Sequence, residues 1–171
     1  MVHAKSKKDY FMIGLTIAII TFNLTAFLTN KKLSRSQIVH IWMFTIAFQQ
    51  TFDIFVEFKY HGYWYFGKGI DWKGLLPHLF IVPPVNLMFL NWYPSEKKHF
   101  IRFMYIFIFV GFILLYEAIT LIPEPWAYFH NGWWKLWLSA IVDPILLLIL
   151  LFYYNWICKL EQNKQCIVMD K

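Results

Sequence analysis

Five apolar runs follow one another along this chain, separated by short connections that are either basic or crowded with aromatic residues. They cover residues 10–28, 38–58, 75–93, 103–122 and 134–157. Crossing about 30 Å of hydrocarbon takes roughly 20 helical residues at about 1.5 Å each, and a helix satisfies its own backbone hydrogen bonds inside lipid. The first, fourth and fifth runs are nearly free of charge. The second and third carry Gln49, Gln50 and Asp53, and His78, Asn86 and Asn91, which lower their hydropathy without shortening them. The pattern predicts an all-α, polytopic membrane protein, one domain over residues 1–171 built as a bundle of five transmembrane helices.

Composition agrees. Of the 171 residues 59% are hydrophobic, against about 45–50% in an average soluble domain, an excess that soluble packing does not absorb. Nine Trp, ten Tyr and eighteen Phe fit a chain whose rings sit at headgroup level. The net charge of +6 is dispersed in small clusters between apolar runs, a topological pattern and not a nucleic-acid-binding face. Cys158 and Cys166 follow the last run without metal or redox spacing and read as free thiols. The start carries Lys5, Lys7 and Lys8 before an apolar stretch too long for a secretory signal and without a small-x-small site, so it reads as a retained first helix.

Orientation follows from Lys and Arg on alternate sides of the spans. One side has Lys31, Lys32, Arg35, Lys97, Lys98, Arg102, Lys159, Lys164 and Lys171; the other has Lys5, Lys7, Lys8, Lys59, Lys68, Lys73 and Lys135. This places the carboxyl terminus in the cytoplasm and the amino terminus outside a cell membrane. The two outer loops, K-Y-H-G-Y-W-Y-F-G-K-G-I-D-W-K and P-E-P-W-A-Y-F-H-N-G-W, are aromatic belts with glycine and proline breaks, whereas the inner links are short and basic and imply antiparallel neighbours. A loose internal repeat pairs two hairpins: spans two and three, with Asp53, Glu57 and Pro83-Pro84, and spans four and five, with Glu117 and Pro144.

The chemistry concentrates in ionisable groups within the spans, each of which costs about 2.5–3.5 kcal/mol at a helix centre and so faces protein or water. Asp53 and Glu57, four residues apart, share one helix face and need a cation, a shared proton or hydration. Asp53, His78, Glu117 and Asp143 all fall in the outer half, below the aromatic loops. Trp64 and Trp134, with Tyr60, Tyr63, Tyr65 and Tyr128, supply rings that attract an organic cation through their quadrupoles. The ligand-binding set read from the sequence is therefore Asp53, Glu57, His78, Glu117, Asp143, Trp64 and Trp134. The donor types of Asp53, Glu57, His61, His78, Glu117 and His130 suit a metal, but no His-x-x-x-His or Glu-x-x-His spacing supports one. No nucleophile motif is present, no particular cofactor is indicated, and the Asn23-Leu24-Thr25 sequon lies inside a span, out of reach of glycosylation.

The segments Y-H-G-Y-W-Y-F-G-K-G-I-D-W, P-P-V-N-L-M-F-L-N-W-Y-P and N-G-W-W-K-L-W-L-S-A-I-V-D-P resemble an uncharacterised family of small multi-pass membrane proteins of spore-forming Bacillus-like bacteria. That resemblance implies a bacterial plasma membrane and assigns no catalytic residues. The acid, the Gly-x-Trp-x-Phe loop and the proline-bearing helix also resemble lycopene cyclase-type membrane domains, although Pro77-His78 stands where that family has paired glutamates after proline. Three functions follow as expectations. The first is binding or transport of a cation or small cationic or amphipathic ligand in an acidic, aromatic-lidded pocket. The second is a structural or accessory subunit, with a membrane protein or a second copy as partner. The third is an enzyme acting on a lipid or isoprenoid.

Overall fold

The computed structural model of the chain describes residues 2–68, 72–122 and 128–169, with side chains from residue 12 to 162 among them. Its elements are α1 (Val2–Leu28), α2 (Arg35–Asp53), a π-helix (Ile54–Lys59), β1 (Tyr63–Tyr65), α3 (Trp72–Phe80), α4 (Val82–Trp92), α5 (His99–Thr120), β2 (Phe129–Asn131) and α6 (Leu136–Met169). Among the described residues three helical rods are long and apolar enough to cross a membrane. They are Trp72–Trp92 with 21 residues, His99–Thr120 with 22, and Leu136–Gln162 with 27. The apolar stretch Met12–Leu28 of α1 is shorter.

Local chemistry sets the helix ends. At the start of α2, Gln37 N donates to the Ser34 hydroxyl at 3.2 Å and Ser34 N donates to Gln37 Oε1 at 3.1 Å, a reciprocal cap that satisfies two otherwise orphaned donors. The third apolar run differs from a single straight span: it breaks at Ile81 into α3 and α4. Pro83 and Pro84 follow the break in the first turn of α4, where a missing N–H costs little. Pro84 leaves the Phe80 carbonyl without its helical donor, and Asn23 Nδ2 on α1 reaches across to supply one at 2.8 Å. The second run departs from an α-helix too, widening into the π-helix after Asp53.

Helix α4 sits at the centre, packed against α1, α2, α3 and α6. Its Leu87, Met88, Phe89 and Leu90 are almost wholly buried. The short link between α1 and α2 does not make them each other's main neighbours, because α4 lies against both. Asn91, at the end of α4, fastens that link: its Oδ1 accepts from Lys31 N at 2.9 Å and Lys32 N at 3.2 Å, and its Nδ2 donates to Thr29 O at 2.7 Å. The outer faces invert the soluble pattern. Ile17 and Leu24 on α1, Met43 on α2, Ile108 and Leu115 on α5, and Leu148 and Phe152 on α6 are all exposed.

At one end, the loops of the two hairpins are joined by a small antiparallel sheet in which Tyr63 pairs with Asn131, Trp64 with His130 and Tyr65 with Phe129. Gly132 N and Trp134 N both donate to Gly62 O, at 2.8 and 2.9 Å, and Phe66 N donates to Tyr128 O at 2.9 Å. Each hairpin of the loose repeat thus contributes one strand to this clasp. The basic links 29–34 and 93–98 lie at the opposite end of the helices, where Lys32 Nζ donates to Tyr93 O at 2.9 Å and Arg102 donates to Ser95 O.

Candidate functional site

Below the clasp the fold gathers the sequence-predicted acids into two adjoining groups. The first is a buried triad. The π-helix turns Glu57 inward beside Asp53, and α3 brings His78 between them: Nδ1 lies 2.5 Å from Asp53 Oδ2 and Nε2 lies 3.3 Å from Glu57 Oε2. Asp53, His78 and Glu57 are 0%, 1% and 4% exposed, so water does not solvate their charges. Gln49, one turn before Asp53, donates Nε2 to both of its oxygens at 3.1 Å, and the Tyr63 hydroxyl donates to Oδ1. Tyr65 N approaches Glu57 Oε1 at 3.4 Å, and the Tyr65 ring meets His78 edge-on at 4.9 Å. Burial, and then the charge of Asp53, holds the Tyr63 phenol well above its ordinary range, and burial does the same for Tyr65. Both hydroxyls therefore stay protonated at neutral pH, which keeps Tyr63 a donor.

The second group lines a cavity of about 210 Å³ whose walls include Tyr63 and Tyr65. Glu117 from α5 and Asp143 from α6 reach it, with Gln49, Asn86, Thr120 and Ser139 as further polar groups. Phe22, Phe52, Phe112, Tyr116, Tyr128, Phe129 and Trp134 make its walls largely aromatic. Tyr128 is 1% exposed and its hydroxyl bonds that of Tyr116; burial pushes the Tyr128 phenol up to about 12. Trp134 Nε1 donates to Ser139 Oγ at 2.9 Å, fixing the indole as a wall. Glu117 Oε1 and Asp143 Oδ2 are buried without a hydrogen-bond partner among the described residues. An unpaired acceptor in such a place costs about 1–3 kcal/mol, more when charged.

Of the seven sequence-predicted residues, Asp53, Glu57 and His78 form the triad, and Glu117, Asp143 and Trp134 line the cavity. Trp64 faces elsewhere: its ring stacks on His130 at 6.0 Å and carries the Lys68 ammonium 4.6 Å from its centre. Trp72 and Trp137 point outward, at 85% and 60% exposed. Trp126 lies outside the described residues. Among the donors considered for a metal, His61 is exposed in a left-handed turn with φ of 50°, and His130 is taken up by Trp64. Tyr116 and Ser139 also line the cavity; the one signal in the sequence for Tyr116 is its place beside Glu117. Compared with known proteins, the chain matches no family model, no curated protein and no solved structure.

Proposed function

We propose that this chain is a five-span plasma-membrane protein that binds a small cationic or amphipathic ligand in the cavity between Glu117 and Asp143, as the recognition step of binding or transport. The observation that carries the reading is the pair of buried carboxyl oxygens without partners, Glu117 Oε1 and Asp143 Oδ2, in a cavity of about 210 Å³ with aromatic walls. A monovalent organic cation answers both features. Its charge meets acids that hydrocarbon does not solvate, and its apolar groups lie on rings whose quadrupoles favour the same charge, at about 0.5–2 kcal/mol per ring.

The membrane part of the reading rests on three rods of sufficient length together with the apolar outer faces of α1 and α2. Basic residues at both short links put that end, with the carboxyl terminus, in the cytoplasm, and the strand clasp with the cavity in the outer half. The resemblance to small membrane proteins of spore-forming bacteria points to the same membrane.

Equilibrium binding of tetramethylammonium and benzyltrimethylammonium to detergent-purified protein tests it. Wild type is expected to bind the aromatic cation, and Glu117→Gln or Asp143→Asn to weaken binding at least about tenfold, equal to about 1.4 kcal/mol, with thermal stability kept or raised. Equal affinity in wild type and both variants would remove the reading.

A further inference from the structure

Among the described residues that line it, the cavity has two acids and no Lys, Arg or His. The other ionisable groups on its walls are the phenols of Tyr63, Tyr65, Tyr116 and Tyr128, which are neutral at neutral pH. Lys59, Lys68, Lys73 and Lys135, at the same end of the helices, do not line it. Nor do Asp53, Glu57 and His78, whose triad is closed on itself with the imidazole ion-paired to both carboxylates. It brings no net positive charge to the cavity.

We propose that the cavity is a site of cation-for-proton exchange, in which one proton leaves the pair Glu117 and Asp143 as one monovalent organic cation enters. This rests on the cation-binding reading of the same cavity and adds what must leave. In the empty cavity both groups are carboxylic acids. Ionised, they would set two like charges against aromatic walls, with Glu117 Oε1 and Asp143 Oδ2 lacking a donor among the described residues, and a carboxylate so placed is neutralised by a proton instead. When the cation enters, one carboxylic O–H bond breaks, its electron pair stays on the carboxylate oxygen, and the proton passes to solvent. That carboxylate is the counter-ion of the cation, and no covalent bond forms.

Charge balance fixes the ratio. A cavity that kept both protons would hold an uncompensated cation, and one that lost both would hold an uncompensated carboxylate; each is unstable where hydrocarbon replaces water. The proton that remains belongs to the pair, because two carboxylates sharing a site do not ionise together. Gln49, Asn86, Thr120 and Ser139, the further polar groups on the walls, are uncharged and substitute for neither proton. The enclosed charge is then the same with and without ligand, so a full exchange cycle moves no net charge across the membrane.

The test titrates benzyltrimethylammonium, which has no proton of its own, into the full chain in detergent, by calorimetry in slightly acid buffers of different ionisation enthalpy. Wild type is expected to release about one proton per cation bound, and its dissociation constant to fall about tenfold for each unit of rising pH on the acid side of neutrality, the slope for one displaced proton. Infrared difference spectra should show the C=O stretch of a protonated carboxyl shrinking as the cation binds, a readout that needs no variant. The double variant Glu117→Gln, Asp143→Asn should release no proton. Binding by wild type without proton release, or with an unchanged carboxyl band, overturns the exchange and leaves the cation reading standing, whereas no binding at any pH removes both. Undiminished proton release in the double variant also overturns the assignment to these two acids.

Discussion

Asp53 shows how a buried charge is kept in place. Its carboxylate accepts from Gln49 on its own helix and from Tyr63 in the clasp, and it faces His78 on α3. Hydrogen bonds to charged groups contribute about 1.5–3 kcal/mol each. Tyr63→Phe keeps the ring that packs on Phe129 and Trp134 and removes only the hydroxyl, so a loss of that size in denaturation free energy is expected. An unchanged value would mean that Asp53 has no need of the donor. The sequence identified Asp53 and Glu57 as one helix face through their spacing alone, and His78 through its cost in hydrocarbon. It did not separate Trp134 from Trp64. Both tryptophans sit in aromatic loops, and only the strand pairing, which stacks Trp64 on His130, decides which one faces the cavity.

The clasp has consequences at the scale of elements. A Cβ on Gly132 would lie 2.2 Å from His61 O and 2.9 Å from Gly62 O, both of them backbone atoms that do not yield cheaply. Gly132→Ala is therefore expected to separate β1 from β2 and cost about 2 kcal/mol or more, lowering the melting temperature and loosening Tyr63 from Asp53. Gly67→Ala meets open space and serves as the control. A Gly132→Ala protein as stable as wild type would contradict the close approach. The helices were legible because length and apolarity alone specify rods; the break in the third, at Ile81 just before Pro83-Pro84, was not. The π-helix was not legible, because Ile54–Lys59 has no composition that distinguishes it from α-helix. Nor was the clasp: two three-residue strands more than sixty positions apart pair through backbone groups that leave little trace in side-chain pattern.

For the whole molecule, the proposed topology puts the clasp outside and the basic links inside. In intact cells expressing the protein, a membrane-impermeant maleimide should label Gly67→Cys, in a background lacking Cys158 and Cys166, and should leave Ser95→Cys unlabelled until lysis. The reverse pattern would invert the orientation. At the same scale, the buried oxygens Glu117 Oε1 on α5 and Asp143 Oδ2 on α6 are proposed to take up a cation instead of merely fastening helices. Anomalous diffraction from crystals equilibrated with tetramethylarsonium tests it most directly, because arsenic marks the ion without changing its shape or charge. The account predicts one strong arsenic peak in the cavity, between the carboxylates of Glu117 and Asp143. A well-ordered cavity with no arsenic, or with Glu117 and Asp143 bonded to each other across it, would contradict it.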